Sequence, residues 1–270
     1  MAFTDRRRHP WAVAVSVLVY FFLLFPMIVI LLSSFDPQEY MTFPPTGFSL
    51  RWYGHIWQVQ LFVQGLKTSL SIGAYATLLA LLLGVPAAYA LARADFPGKA
   101  AISSFLLSPL VVPELVLGMG LLQVLVLVRA FPVYPALLLG HTIVVLPYAI
   151  RITLASLTNL GPGIEEAARS LGANGFTAFL RVVLPNIRTG LLAAALLSFI
   201  TSFNNIPISL FLTGPDVTTL PIQMMIYSEY YFDPSIAALS VLMLIFTLIL
   251  VFALERSIGL TYFTGGGSQK

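Results

Sequence analysis

The segment GPGIEEAARSLGANGFTAFLRVVLP, residues 161–185, decides how the rest of the chain is read. Gly161-Pro162-Gly163 breaks whatever helix precedes it, since neither residue type sustains a helix interior. Residues 164–171 then read as a short helix whose first turn holds Glu165 and Glu166, where the macrodipole favours carboxylates. Gly172 is placed to end that helix, and Asn174 to cap a second one over 175–183. Phe176, Phe179, Leu180 and Val183 fall at helical spacing on the second helix, and Leu184-Pro185 closes it. The whole connection, 158–188, is far longer than a turn between neighbouring helices requires. One reading is an amphipathic segment lying on a membrane surface. The other is a docking element: Ala167 and Ala168 allow close approach by a partner, and the flanking charges set its register.

On both sides of this segment the chain is apolar. Of 270 residues, 58% are hydrophobic and 9% charged, against roughly 25% charged in a soluble domain. The mean hydropathy is +0.91. Six stretches reach the about 20 apolar residues needed to cross a bilayer. They run over about 11–32, 68–92, 100–128, 130–151, 189–213 and 235–254. In lipid the backbone must satisfy its own hydrogen bonds, and the stretches lack the short alternating pattern of barrel strands, so they read as helices. The expectation is an all-α membrane protein forming one transmembrane domain over 1–270, with six transmembrane helices and the 158–188 loop between the fourth and fifth. Arg129, Pro132 and Pro135 mark the turn between the third and fourth. An apolar run of about 22 residues is too long for a cleaved signal core, so the first stretch reads as a retained span.

Charge gives the orientation. Arg6, Arg7, Arg8, Arg93, Lys99, Arg151, Arg169, Arg181, Arg188, Arg256 and Lys270 fall on one side of the six spans, and Arg51, Lys67 and Arg129 on the other. The richer side is cytoplasmic, which places both termini and the 158–188 loop there. The 33–67 and 213–234 connections are then external. In the former, Ser49 can cap a short helix on which Trp52, Ile56 and Trp57 share a face suited to the membrane interface.

Few polar residues lie inside the spans. From the helix rise, Glu114 is roughly 21 Å and Asn204 roughly 22 Å from the cytoplasmic side, at similar depth. An intramembrane carboxylate costs about 2.5–3.5 kcal/mol on insertion scales, so it faces a bundle interior, a cavity or a partner. Glu114 reads either as a pathway residue or as the first turn of a helix resumed after Pro109 and Pro113. Asn204 and Asn205 line a pathway, bond across helices, or satisfy amides freed by Pro207. His141 and Gln123 read first as hydrogen-bonded packing residues. The absence of cysteine excludes thiolate chemistry. No metal cluster, paired catalytic acids or Ser/His/Asp set stands out, and nothing suggests nucleic-acid binding.

The segment that opened this reading resembles the permease subunits of binding-protein-dependent ABC importers. Their signature is Glu-Ala-Ala, three residues, Gly, nine residues, Ile, any residue, Leu-Pro. Here it is Glu166-Ala167-Ala168, Gly172, Val182, Leu184 and Pro185, with Val182 in place of Ile the only departure. The resemblance implies the type I importer permease fold in a bacterial plasma (inner) membrane. It also implies that the helix carrying Glu165, Glu166, Ala167, Ala168, Arg169 and Gly172, with Leu184 and Pro185 behind it, couples to a cytoplasmic ATPase. The chain has no Gly-x-x-x-x-Gly-Lys-Ser/Thr loop. ATP and magnesium therefore fall to two ATPase partners, with no catalytic residue, cofactor or metal expected here. A second permease, a non-identical homologue, and an external solute-binding protein complete the implied assembly. A finer resemblance, to spermidine/putrescine-type permeases, rests on residues 43–53 (FPPTGFSLRWY), Pro113-Glu114 and Thr219-Leu220-Pro221. Relatives in that group often carry an acidic pair after Ser-Phe. Here Ser202-Phe203 is followed by Asn204-Asn205, amides that lack a carboxylate's attraction for a dication. The expected cargo is a small polar solute: a polyamine, an amino acid or a related organic molecule. The competing class is an ATP-independent secondary carrier or channel, for which matched internal repeats are not evident.

Overall fold

The computed structural model describes residues 10–128 and 132–258. Arg6, Arg7, Arg8, Arg129 and Lys270, used above for orientation, lie outside them. The helices are α1 (Pro10–Ser33), α2 (Arg51–His55), α3 (Gln60–Arg93), α4 (Lys99–Leu107), α5 (Glu114–Val128), α6 (Val133–Leu160), α7 (Gly163–Ser170), α8 (Gly175–Ala178), α9 (Leu184–Asn186), α10 (Arg188–Phe203), α11 (Pro207–Leu212), α12 (Leu220–Tyr230) and α13 (Ser235–Ile258). Among the described residues there is no strand, only an isolated bridge between Gly214 and Val217.

Four continuous helices are long and apolar enough to cross a membrane: Trp11–Ser33, Gln60–Arg93, Val133–Leu160 and Ser235–Arg256. The second and fourth spans outrun the expected bounds of 68–92 and 130–151. Two further pairs of helices are long and apolar enough only when taken together, and each is bent at its junction. Lys99–Leu110 and Glu114–Val128 meet at 101°, and Gly175–Asn186 and Arg188–Phe203 at 72°. The apolar stretch 100–128 is therefore not one rod. Pro109 and Pro113 are the reason: Val112 precedes a proline and is pushed out of the α region. Pro113 donates nothing, and its carbonyl accepts from the Val116 and Leu117 amides at 2.9 and 3.1 Å to restart the helix. The stretch 189–213 also divides. Helix α10 ends at Phe203 after 16 residues, about 24 Å of rise, and α11 begins at Pro207.

The chain forms two compact units, Leu61–Met225 with Phe246–Lys270, and Met1–Gln60 with Ile226–Ile245. In the first, α6 is the central helix and packs most extensively on α10. Helix α3 buries Ser69, Ile72, Gly73, Ala76, Thr77, Ala80, Gly84, Ala88 and Leu91, a stripe at three- and four-residue spacing dominated by small side chains. In a bilayer, lipid tails are as apolar as leucine, so helices associate by close packing, and small residues permit it. Leucines face outward on the same helix: Leu78, Leu82 and Leu83 are exposed, as lipid contact requires.

In the second unit, residues 34–53 fold into a knot built on Asp36. Its carboxylate accepts from the Thr42 hydroxyl, the Thr46 hydroxyl at 3.0 Å and the Gln38 amide at 3.2 Å. Its carbonyl accepts from the Trp52 indole at 2.8 Å, and Phe35 stacks on Phe48 at 4.6 Å. The expected membrane-facing stripe of α2 is not formed. Trp52 and Ile56 are buried within this unit, and only Trp57 is exposed. Ser49 accepts from the Arg51 amide at 3.2 Å, while Leu50 holds the cap position. Burial alone would raise the Asp36 pKa, but the hydrogen bonds from Thr42, Gln38 and Thr46 overcome it and hold the carboxyl below its ordinary 3.8. A depressed carboxylate stabilises the fold above its unfolded pKa, and this contribution is lost as pH falls through the folded value. Trp52 emission, read with Trp11 and Trp57 replaced by phenylalanine, is therefore expected to stay constant on acidification until below pH 3.8. The Asp36→Ala variant is expected to show the loosened emission already at neutral pH. A transition near pH 6 would contradict this assignment.

Candidate coupling site and intramembrane polar network

Helix α7 forms where the sequence places it. Its C-terminus closes by a full Schellman arrangement: the Gly172 amide donates to the Arg169 carbonyl at 3.0 Å, and the Ala173 amide to the Ala168 carbonyl at 3.1 Å. Gly172 sits at φ +94°, a left-handed conformation that glycine adopts without penalty. Asn174 then caps α8, its side chain accepting from the Thr177 amide at 2.8 Å. The second helix differs from expectation. After Ala178 the chain widens into a π turn, Phe179–Val183, and continues as α9 through Pro185 to Asn186. In a regular helix the Pro185 ring would clash with the Arg181 carbonyl. The π turn just before it gives that carbonyl room. The break falls at Ile187, not at Leu184-Pro185. Val183 and Ile187 join Ala88, Leu91, Ile150 and Leu157 in one apolar cluster, which seats the loop on α3 and α6.

The two adjacent carboxylates of α7 part company. Glu166, Ala167, Arg169 and Gly172 are exposed, with Ala168 half-buried, Leu184 half-buried and Pro185 exposed. Leu171 is 90% exposed, an apolar knob beside the helix end. Glu165 is buried instead, its carboxylate accepting from the Tyr89 hydroxyl at 2.5 Å and from Arg93 Nε at 3.3 Å. Glu165 therefore faces α3 and is not part of the exposed surface. Sequence reasoning used Arg93 only as an orientation marker and passed over Tyr89. A basic residue one turn beyond an apolar span, opposite an acid-rich short helix, was the available signal.

Inside the membrane-spanning region a second constellation forms. Asn205 Nδ2 donates to Glu114 Oε2 at 2.7 Å, and Asn205 Oδ1 accepts from the Ile208 amide in the first turn of α11 at 2.9 Å. The Ser209 hydroxyl donates to the Asn205 carbonyl at 2.9 Å and contacts His141 Nε2 at 3.0 Å. Its proton being committed, Ser209 accepts from His141 Nε2–H. Nδ1 is then the acceptor for the Ser202 hydroxyl at 2.8 Å. Ser202 ends α10 and Ser209 lies on α11, so His141 of α6 staples both sides of the break at 204–206. Glu114 and residue 205 do meet at common depth. Asn204, the residue singled out for that depth, is exposed and donates to the Ile200 carbonyl at 3.2 Å. Gln123 is exposed on α5 and not a packing residue. Among the described residues no group of three or more metal-ligating side chains forms.

Several helices long and apolar enough to cross a membrane, with one long, folded, partly exposed loop between two of them, are the features of a multi-pass membrane protein. The chain belongs to the family described as the binding-protein-dependent transport system inner membrane component, which matches residues 80–259. It is thus an inner-membrane ABC importer permease, a non-catalytic transport subunit. It is 31% identical to the putrescine transport system permease protein PotI of Escherichia coli (strain K12), over 88% of this chain and 86% of that one. It is 28% identical to the spermidine/putrescine transport system permease protein PotC of the same strain, over 87% and 89%. It is also 31% identical to the trehalose transport system permease protein SugB of Mycobacterium tuberculosis, over 95% and 97%. Among solved structures, a bacterial ABC transporter involved in alginate import matches with TM-score 0.69 at 17% identity, covering 95% of this chain and 99% of that one. The MetNI methionine ABC transporter matches with TM-score 0.61 at 21% identity, over 74% and 96%. These two likenesses concern the fold.

Proposed function

We propose that this chain is one of two permeases in an ATP-driven importer, working as a single domain over 1–270 with both termini in the cytoplasm. Two cytoplasmic ATPase subunits bind and hydrolyse ATP with magnesium. Each receives a coupling helix, which in this chain is α7 through Glu166, Ala167, Ala168, Arg169 and Gly172. A second, non-identical permease completes the pathway, and an external binding protein delivers solute to the 33–67 and 213–234 connections. Nucleotide binding contributes free energy to only one arrangement of the permeases and so shifts the population between inward- and outward-open states. The observation that carries this reading is α7 itself: a capped helix between two spans, anchored on one face and exposed on the other. Glu114, Asn205 and His141, with Asn204 beside them, line or shape the solute path at the break in the fifth span. The cargo is a small polar organic solute. Relatives named for putrescine and for trehalose are both 31% identical to this chain, so polyamine transport is one candidate within that class.

The test is affinity purification of the permease with its ATPase, together with uptake into proteoliposomes. Ala167→Trp places a bulky ring on the exposed face of α7. It is expected to abolish ATPase retention and uptake while elution profile and melting temperature stay unchanged. Wild-type retention and uptake in this variant would sink the docking role. Uptake without ATP would instead favour a secondary carrier.

A further inference from the structure

Helix α7 is joined to α6 by Gly161-Pro162-Gly163, with Gly161 at φ +69°. Two glycines in three residues make this link a natural swivel, about which α7 could rock without moving the spans. The Arg93 side chain crosses it. Arg93, at the end of α3, donates through Nη2 to the Gly161 and Leu157 carbonyls at 2.7 and 3.2 Å. The Leu157 carbonyl belongs to α6, and the Gly161 carbonyl to the first residue of the link itself. Through Nε it donates to Glu165, on the α7 side, at 3.3 Å. The pair is enclosed, with side-chain exposures of 14% for Arg93 and 7% for Glu165. The second Glu165 oxygen is held by the Tyr89 hydroxyl at 2.5 Å. The Tyr89 ring packs edge-on against Phe179 at 4.8 Å, tying in the second loop helix. A planar guanidinium is suited to this, since its donors are fixed relative to one another and cannot follow two partners that move apart.

We propose that Tyr89, Arg93 and Glu165 form a rigid joint that locks the Gly161-Pro162-Gly163 swivel, so that a displacement of α7 is passed to α3 and α6 and not absorbed in the loop. These are positioning residues: they touch neither solute nor ATPase. The joint rests on the reading of α7 as the ATPase-docking helix and assigns the path by which docking becomes motion of the spans. Rigid hydrogen-bonded contacts of this kind carry coupling between sites.

The experiment uses the complete transporter in proteoliposomes with its binding protein, and reads three quantities: ATPase retained on the permease, solute uptake, and ATP hydrolysed per solute. Removing Arg93 alone strands the Glu165 carboxylate in a buried position, which threatens folding for an unrelated reason. The decisive variant is therefore Arg93→Met with Glu165→Gln, which removes both charges together. Retention is expected to match wild type while uptake falls about tenfold and ATP per solute rises about as much, within the usual range of an interrupted coupling. Arg93→Lys keeps the charge without the fork and is expected to fall between. Wild-type uptake and stoichiometry in the double variant would overturn the joint. So would loss of ATPase retention, because the joint is assigned to transmission and not to docking. Failure of the wild-type permease to retain any ATPase would instead overturn the docking reading.

Discussion

Replacing Gly190 by leucine is expected to leave no folded permease. Gly190 lies in the first turn of α10 where that helix crosses α6, and a Cβ built there would overlap the Ser156 hydroxyl and stand 2.8 Å from Ser156 Cβ. Rotating the hydroxyl does not relieve this, because Cβ stays where the backbone puts it. The hydroxyl is moreover engaged with the Ile152 carbonyl at 2.9 Å. The two helices must separate, and in a bilayer their association depends on close packing. Overpacking by a methyl group costs about 1–3 kcal/mol, and leucine adds three further carbons at the same crossing. Gly190→Ala is expected to survive with a melting temperature lowered by about 5 °C, the shift that such a cost produces in a domain of this size. Adding Ser156→Gly to Gly190→Ala removes the opposing atoms and is expected to restore most of that loss. Monodisperse yield after detergent extraction and thermal melting measure both. Leucine at wild-type yield would show that α6 and α10 are not held together at this point.

The same crossing shows what a hydropathy pattern carries and what it omits. Apolar runs of about 20 residues mark where the chain meets lipid, and four of the six expected spans are continuous helices. Averaging over such a window discards direction, so the turns of 101° and 72° were invisible to it. Both arms of a bent span are apolar. The prolines nearest the bends, Pro113 at the first and Pro185 two residues before the second at Ile187, were legible only as local interruptions. The 158–188 loop was readable in more detail because its signals are short-range: Gly172 and Asn174 act on amides within a few residues. What could not be read was anything that depends on a partner far along the chain. Glu165 and Glu166 are adjacent and chemically alike, and the presence of Tyr89 and Arg93, 76 and 72 residues earlier, turns one inward. Glu114 and Asn205 were separately conspicuous, but their hydrogen bond joins residues 91 apart, and His141 gains its role only from Ser202 and Ser209.

The second large effect is expected at Gly172, and the choice of substitution separates two reasons for a glycine there. In the isolated chain nothing lies within 4 Å of a Cβ built on Gly172, and its φ of +94° is the only obstacle to a side chain. If conformation is the requirement, tolerance follows the cost of the left-handed region, about 1–2 kcal/mol for an ordinary residue and less for asparagine. The expected order for uptake is then Gly172, Asn, Ala, Val. Asparagine should keep most of the activity and valine lose nearly all of it, because a β-branched residue abandons this backbone and with it the two Schellman bonds. Helix α7 would lose its last turn, and Leu171 would no longer be presented beside a fixed helix end. Uptake by proteoliposomes and ATPase retention on the purified permease measure the outcome. Asparagine and valine are close in volume, so the comparison is between backbones and not between sizes. Equal loss in the two variants would refute the conformational account and assign Gly172 to a surface that a partner approaches too closely for any side chain.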